Sequence, residues 1–254
     1  MTRTTLVTGG TGTLGRAVRR QLAAAGHDVR VLSRGGRPVA LTAPYTTAIG
    51  DLRTGAGIAS GVAGADVIIH CATTNKKADV EMTQTLIDAA HRAGTGHLIY
   101  ISIVGVDVVP LGYYRAKLEV EQLLATSGLP WTVLRATQFH DLVTKLFAAQ
   151  RWLPMVMAPR GISIQPIDVR DVAQRLVELA GGPPAGRVPD IGGPQVRPAT
   201  DLAHAYLSAT KRRRLVVPVP LAGKTARAYR AGGHLTPEHA VGTITFEQFV
   251  ERVQ

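Results

Sequence analysis

The stretch "TLVTGGTGTLGRAV", residues 5–18, decides the fold of this chain. A short β-favouring run leads into three spaced glycines, and a segment with helical periodicity follows. Glycine permits a tight turn and a close backbone approach to a ligand, and the N-terminus of the following helix offers unpaired N–H groups to phosphates. This strand–glycine–helix context predicts a loop that binds a dinucleotide pyrophosphate. The predicted contacts of the loop are Gly9, Thr11, Gly12, Thr13, Leu14 and Gly15.

A glycine-rich turn without a ligand is the alternative explanation of this loop. Its position directly after the first strand makes that alternative the weaker one. A nucleoside-triphosphate loop is excluded because no Gly-Lys-Ser/Thr sequence follows the glycines.

Strand-like and helix-like segments alternate along the first 150 residues. Strands are predicted over residues 4–8, 28–33, 46–51, 65–72, 97–106 and 131–137, and helices over residues 14–26, 79–93, 113–127 and 141–150. Short connections between them indicate a parallel sheet covered by helices on both sides. We therefore predict an α/β fold, a Rossmann-type doubly wound parallel sheet with a smaller C-terminal substrate-binding region.

The expected division is an NAD(P)-binding Rossmann domain over residues 1–150 and a substrate-binding region over residues 151–254 that does not fold independently. A helix is predicted at 168–180, capped by Asp168. Phe139 and His140 follow the sixth strand and are candidate substrate contacts, although a loop histidine has a simpler structural explanation. Trp152 and Met155 suggest an apolar substrate wall, and core packing explains them equally well.

The composition limits the classes of function. The net charge of +11 comes from 23 Arg and 6 Lys against 18 acidic residues, and the one dense basic run, 211–214, is interpreted as a solvated helix end. No zinc-finger spacing or interleaving of aromatic and basic residues accompanies it, so nucleic-acid binding is not expected. The single cysteine and the lack of companion ligands predict no metal site. No apolar run reaches the roughly 18 residues of a membrane span, so the sequence predicts a cytoplasmic protein.

The end of the second strand selects the cofactor. Ser33 and Arg34 stand where an acidic residue would bind the adenosine ribose of NADH, and Arg37 is near. An arginine suits a phosphate dianion, so the sequence favours NADP(H). An exposed loop arginine is the alternative, and the missing acid is the more informative observation.

Tyr113 and Lys117 are four residues apart in a predicted helix and therefore share a face. A free tyrosine has a pKa of about 10, and a neighbouring ammonium stabilises the phenolate and lowers that pKa. Tyr113 could then exchange a proton at neutral pH. Because the spacing alone arises by chance in many helices, the interpretation depends on the glycine loop and on Ser102. The alternative for Tyr113 is an aromatic residue packed at a helix start.

Further motifs continue to about residue 175: "LSR", "GDL", "HCAT", "YISIVGVD", "YYRAKLEVE", "GLPWTVLRATQF" and "QPIDVRDVA". Together with "TGGTGTLG" they resemble the short-chain dehydrogenase/reductase superfamily, and more narrowly its atypical, NmrA-like NAD(P)-binding branch. The resemblance implies that Tyr113 is the catalytic acid, Lys117 its helper and a cofactor contact, and Ser102 the substrate anchor. It also implies further cofactor contacts at Asp51, Leu52, Cys71, Ala72, Thr73, Ala136, Thr137 and Gln138.

We therefore expect an NADPH-dependent oxidoreductase that reduces a carbonyl, quinone or conjugated enone of a small, largely apolar substrate. Two alternatives remain open: a non-enzymatic NADP(H)-responsive regulator, and a non-redox isomerase, dehydratase or cyclase on the same fold. The expected partner is a small molecule rather than a nucleic acid or a membrane, and a homodimer is left open.

Overall fold

The computed structural model describes residues 3–35, 45–74 and 77–252. The strands are β1 (Thr4–Thr8), β2 (Asp28–Ser33), β3 (Tyr45–Ile49), β4 (Val67–His70), β5 (His97–Ile103), β6 (Trp131–Ala136), β7 (Met155–Pro159), β8 (Ser163–Ile164), β9 (Gly186–Arg187), β10 (Arg197–Pro198) and β11 (Leu215–Val219). The helices are α1 (Thr13–Ala24), α2 (Ile58–Val62), α3 (Ala78–Ala93), α4 (Gly112–Ala125), α5 (His140–Ala148), α6 (Val169–Gly181), α7 (Ala199–Ala209), α8 (Lys224–Arg230) and α9 (Phe246–Arg252), with a 3-10 turn at Pro237–His239.

Among the described strands, seven form one sheet in the order β3-β2-β1-β4-β5-β6-β9. The pairings of β1 with β2 and β4, of β2 with β3, of β4 with β5 and of β6 with β9 are parallel. The chain first runs outward from β1 to β3 and then returns to β4 on the other side of β1. This reversal creates a switch point, and the predicted Rossmann-type α/β fold is confirmed.

Local sequence accounts for the central elements. All four residues of β4 are buried, as expected for a parallel strand covered on both faces. In α1 the buried residues Leu14, Val18 and Leu22 recur every four positions and form one apolar stripe. The helix ends where Gly26 adopts a φ of +80°, a conformation that glycine takes without steric cost.

The strands predicted over 46–51 and 65–72 are shorter in the structure, and two further elements differ from the sequence expectation. The strand predicted over 97–106 ends at Ile103, because Gly105 takes a φ of +85° and its carbonyl accepts hydrogen bonds from the amides of Val108 and Val109. Helix α2 was not predicted, since it has only five residues and contains Gly61. The predicted helix over 168–180 is confirmed as α6, and Asp168 caps it by accepting from the amide of Arg170 over 2.8 Å.

The described chain divides into two compact units. The first comprises the described residues up to Ser102 together with Arg115–Leu134 and Ala173–Val188. The second comprises Ile103–Tyr114, Arg135–Val172 and the described residues from Pro189 onward. These borders differ from a single division after residue 150. The assignment of cofactor binding to one part and substrate binding to the other concerns ligands and stays a prediction.

Each unit has its own apolar core. In the first unit, Leu6, Ile68 and Leu98 from neighbouring strands pack with residues of α2, α3 and α4. In the second unit, Val143 and Val156 pack with residues of α7 and α9. Within residues 3–35, 45–74 and 77–252, no helix combines the length and the apolar character needed to cross a bilayer.

Candidate functional site

The carboxyl ends of β1 and β4 form the switch point of the sheet. Thr8, the last residue of β1, is in register with Leu32 of β2 on one side and with His70 of β4 on the other. Ligands of such folds bind beyond the carboxyl ends of the strands at this point. The glycine loop follows β1 directly, and the segment beginning at Cys71 follows β4. Ser33 is the last residue of the neighbouring β2, and Arg34 comes next.

Gly9 and Gly15 occupy positions where a side chain does not fit. Gly9 has a φ of +66°, and an added Cβ would lie 2.6 Å from the backbone nitrogen of Ala72. A Cβ on Gly15 would lie 2.3 Å from the carbonyl oxygen of Gly9. The amide of Gly12 donates to that same carbonyl over 2.9 Å and closes the turn. The loop is therefore a compact backbone cradle, which we call the glycine cradle (Gly9–Gly15).

The first turn of α1 offers its N–H groups to an anion. Gly12 is the N-cap in an extended conformation, and among the described side chains none caps this end. The first turn, all of which is described, contains no acidic residue. No carboxylate of its own first turn therefore competes with an anion for the positive end of the helix dipole. The amides of Thr13, Leu14 and Gly15 are available for a dinucleotide pyrophosphate, whereas the amide of Gly12 donates to Gly9, and cofactor contact by all four residues stays a prediction.

Ser33 and Arg34 lie at the carboxyl end of β2. Ser33 is half-buried, and its carbonyl accepts a hydrogen bond from the amide of Gly50 over 2.9 Å. Arg34 is exposed. A 2′-phosphate at this strand end would meet a guanidinium rather than a carboxylate. Arg37, for which the sequence suggests the same role, lies outside the described residues.

Asp51 and Leu52 lie in the turn after β3. The carboxylate of Asp51 accepts from the amide of Arg53 over 2.9 Å, and its amide donates to the carbonyl of Ala56 over the same distance. Leu52 is buried in the core of the first unit. Both residues shape this turn, and their contact with an adenine ring stays a prediction.

Asp79 holds the segment that follows β4. Its buried carboxylate accepts from the hydroxyl of Thr73 and from both the amide and the hydroxyl of Thr74, the last two over 2.6 Å. The amide of Ala72 donates to the hydroxyl of Thr8 over 3.3 Å. Ala72 and Thr73 are thus fixed beside the glycine cradle. Sequence reasoning missed Asp79, although an acid in the first turn of a helix is a typical capping signal.

His70 forms a buried polar bridge behind this segment. Its Nδ1 lies 2.6 Å from Thr8 Oγ1 and its Nε2 lies 3.1 Å from Thr83 Oγ1. The ring stacks on Tyr100 with centroids 5.5 Å apart. Burial, assisted by the charge of Lys117, lowers the pKa of His70 to about 3. His70 is therefore neutral at physiological pH and links β1, β4 and α3 through its two ring nitrogens.

Lys117 has a buried side chain in the first unit. Its Nζ donates to the carbonyl of Ile101 over 3.1 Å and lies 4.5 Å from the centroid of the Tyr100 ring. Burial lowers the pKa of Lys117 to about 8, while the nearby Asp79 and Glu121 carboxylates act in the opposite direction. The ammonium therefore persists at neutral pH and is lost in mildly alkaline solution.

Ser102 is buried near the carboxyl end of β5, and its hydroxyl donates a hydrogen bond to the carboxylate of Glu121. A serine hydroxyl has one proton to donate. While Glu121 holds that proton, Ser102 can only accept a hydrogen bond from a ligand. Sequence reasoning missed Glu121. Its position one helical turn after Lys117 was the available signal.

The thiol of Cys71 lies close to the charge of Lys117. Burial raises the pKa of Cys71 to about 12, more than the nearby ammonium lowers it. Cys71 is therefore a neutral thiol and not a nucleophile at physiological pH. In the described part of the chain, no group of three or more His, Cys, Asp or Glu residues is arranged to hold a metal ion.

Tyr113 and Tyr114 lie at the start of α4 and belong to the second unit. Tyr114 is buried, and its hydroxyl lies 3.2 Å from that of Tyr229 and accepts from Gln138 Nε2 over 3.2 Å. Tyr113 is half-buried, with its ring edge-on to Tyr114. The helical spacing that relates Tyr113 to Lys117 is present in α4.

Ala136, Thr137 and Gln138 continue from β6. Ala136 forms a parallel bridge with Ile191, and the amide of Thr137 donates to the carbonyl of Ile191 over 3.0 Å. The carbonyl of Gln138 accepts from the amide of Ile167 over 2.9 Å. These bonds hold the backbone of the segment, and its contact with a nicotinamide stays a prediction.

The predicted substrate contacts have different environments. His140 is fully buried, with its Nε2 2.9 Å from the carbonyl of Ile244 and its ring near Phe246. Trp152 is 83% exposed. Phe139 and Met155 are half-buried. A substrate contact by any of these residues stays a prediction, and the bonds of His140 account for a structural role.

Comparison with known proteins identifies relatives. A family model described as NAD(P)H-binding matches residues 9–181. A (4-alkanoyl-5-oxo-2,5-dihydrofuran-3-yl)methyl phosphate reductase of Streptomyces griseus is 32% identical over 200 residues, which are 75% of this chain and 68% of the reductase. An uncharacterized protein of Mycobacterium tuberculosis is 30% identical over 182 residues, which are 68% of this chain. The match spans only 19% of the mycobacterial protein's length.

Solved structures share the fold. A crystal structure of an NADPH-dependent quinone oxidoreductase from Escherichia coli, complexed with NADPH, superposes with a TM-score of 0.85. The superposition covers 98% of this chain and 99% of the other, at 20% sequence identity. At that identity the likeness establishes the fold.

Proposed function

We propose that this chain, which belongs to the NAD(P)H-binding family, is an NADPH-dependent oxidoreductase that reduces a carbonyl, quinone or conjugated enone of a small, largely apolar substrate. The observation that carries the proposal is the glycine cradle. Its backbone presses so closely on the segment after β4 that a Cβ on Gly9 would lie 2.6 Å from the nitrogen of Ala72. The relative from Streptomyces griseus that is named a reductase supports the redox assignment.

Arg34 supports the choice of NADPH over NADH. It is exposed at the carboxyl end of β2, and neither Ser33 nor Arg34 presents a carboxylate to a ribose. A guanidinium can donate two parallel hydrogen bonds to a phosphate, which the 2′-hydroxyl of NADH cannot match.

The proposed chemistry divides a reduction between cofactor and protein. NADPH, when bound, supplies the hydride that reaches the substrate carbon. The phenol of Tyr113 gives the matching proton to the substrate oxygen, and Lys117, four residues later on α4, is its proposed helper. Ser102, the predicted substrate anchor, donates its proton to Glu121 and could anchor a substrate carbonyl only after releasing that bond.

A second candidate function is an NADP(H)-responsive regulator without turnover. The observation that favours it is the bond from Ser102 to Glu121, because that bond removes a donor that a reductase could direct at a substrate carbonyl. The glycine cradle, Arg34 and Lys117 would serve both functions.

NADPH consumption in the presence of quinones, enones and aldehydes tests the proposal. Wild type should oxidise NADPH with part of this panel, and Tyr113→Phe should lower the rate by about 100-fold, the lower range for loss of a general acid. Tyr45→Phe, at a half-buried tyrosine outside the predicted site, is the control and should keep most of the activity. NADPH binding without oxidation by any member of the panel would favour the regulator. Turnover that survives Tyr113→Phe would refute the proton-donor role.

A further inference from the structure

The second unit exposes a group of large apolar side chains. They lie on α5, on the loop after it, and on β7 and β11. We call this group the apolar face, and it consists of Leu142, Leu146, Trp152, Leu153, Met157 and Leu215. Trp152 is 83% exposed and Leu215 is 74% exposed. Exposure of such apolar side chains to water is unfavourable.

Hydrogen bonds tie the apolar face into one surface. The side-chain amide of Gln150 donates to the carbonyls of Leu146 and Met157 over 3.2 Å, and its oxygen accepts from the amide of Met157 over 2.8 Å. Arg214 donates to the carbonyl of Met155, and Leu215 is in register with Met155 in the parallel β7–β11 pair. The end of α5 is therefore anchored beside β7, and β7 beside β11.

The same elements bury their opposite sides. Val143 and Phe147 of α5, and Val156 of β7, pack in the core of the second unit. The exposed leucines and methionine are therefore not needed for that core. A helix and a strand that are apolar on both sides indicate a second contact surface.

Exposed cations flank the apolar face in the sequence. Residues 142–167 and 202–237 contain no Asp or Glu. The cations in these two segments are Lys145, Arg151, Arg160, Lys211, Arg212, Arg213, Arg214, Lys224, Arg227 and Arg230. Lys145 and Arg151 are exposed next to Leu146 and Trp152, and the guanidinium of Arg151 lies 5.0 Å from the centre of the Trp152 ring. Residues 211–213 are exposed shortly before Leu215.

We propose that the apolar face docks on an anionic lipid surface. Leucine and tryptophan side chains would enter the boundary between headgroups and acyl chains, and the exposed cations Lys145, Arg151 and 211–213 would contact the lipid phosphates. Tryptophan prefers this interface because its ring is amphipathic. A nucleic acid would use the same cations, but it offers no apolar layer to the two leucines of α5. The proposal is independent of the cofactor.

Flotation of the full chain with vesicles tests the proposal. Vesicles of phosphatidylcholine mixed with phosphatidylglycerol should carry the protein, vesicles of phosphatidylcholine alone should not, and high salt should release it. The double variant Arg212→Gln/Arg213→Gln should weaken binding at least about tenfold. The matched control, Arg53→Gln/Arg92→Gln, replaces two exposed arginines of the first unit and should bind as wild type.

Trp152 provides a direct probe, because the chain contains only two tryptophans. In a Trp131→Phe protein its emission should shift to the blue on vesicle binding and be quenched by lipids brominated on the acyl chain. Trp152→Ala should weaken binding about tenfold, whereas Val241→Ala, at an exposed position of the same unit, should not.

Three results would overturn the inference. The first is unquenched Trp152 in the presence of anionic vesicles. The second is binding of duplex DNA without binding of vesicles. The third is self-association that Trp152→Ala abolishes, again without vesicle binding, which would assign the apolar face to a second copy of the chain.

Discussion

The variants Gly9→Ala and Gly94→Ala separate two free-energy costs that glycine avoids. One is the cost of a left-handed backbone, and the other is the cost of a Cβ that meets backbone atoms. Both residues have a φ of +66°, so both variants place an L-residue in the left-handed region at a cost of about 1–2 kcal/mol. Alanine also restricts the unfolded chain, and this stabilises each variant by about 0.4–1 kcal/mol. Only at Gly9 does the new Cβ meet the backbone, 2.6 Å from Ala72 N and 2.7 Å from the carbonyl carbon of Cys71. A Cβ on Gly94 would meet no described atom within 4 Å apart from its chain neighbours.

The expected free energies of unfolding follow from these contacts. Gly94→Ala should lose about 1 kcal/mol, the conformational cost less the unfolded-state gain. Gly9→Ala should lose a further ~1–3 kcal/mol, the usual cost of overpacking where backbone atoms must move. The two losses are measured by urea unfolding of the purified variants.

Cofactor affinity gives the second measurement on the same pair. Displacement of Gly9 moves the glycine cradle away from Ala72, so Gly9→Ala should weaken NADPH binding at least about tenfold. Gly94→Ala, at the end of α3, should bind NADPH as wild type does. Equal losses of stability in the two variants, or unchanged NADPH affinity in Gly9→Ala, would refute the close approach as the reason for glycine at this position.

Three further predictions concern the buried polar groups of the first unit. Turnover with NADPH should fall above about pH 8, where Lys117 loses its charge. Lys117→Arg should remove that fall, because arginine keeps its charge. A pH–rate profile that is the same for wild type and Lys117→Arg would contradict this. Glu121→Gln removes a charge that raises the pKa of Lys117, so the midpoint of the same profile should move to lower pH, and a shift to higher pH would contradict the assigned sign. Thr83→Val leaves Nε2 of His70 without its hydroxyl partner and should cost about 1–3 kcal/mol in urea unfolding. A loss no larger than that of Thr85→Val, at a half-buried position of the same helix, would argue against the bridge.

Periodicity and glycine chemistry predict the elements that depend on local sequence. The buried run of β4, the apolar stripe of α1 and the turn at Gly9 are visible in this way because neighbouring residues determine them. Helix α2 was missed because five residues are too few to show helical periodicity.

The contacts of the candidate site depend on residues that are distant in sequence. Ser102 was predicted, but the loss of its donor capacity to Glu121 arises from packing of α4 against β5. The same is true of Asp79, which fixes Thr73 and Thr74. Sequence patterns identify residue types at strand ends, whereas the direction in which each proton is donated follows only from the folded geometry.

Titration calorimetry with NADPH and NADH, on wild type and Arg34→Ala, tests the central claim most directly. Wild type should bind NADPH more tightly than NADH. Arg34→Ala should lose about tenfold in NADPH affinity, since one charge-assisted phosphate contact disappears at an exposed position, and should leave NADH affinity unchanged. Binding of neither nucleotide by wild type would contradict both the reductase and the regulator.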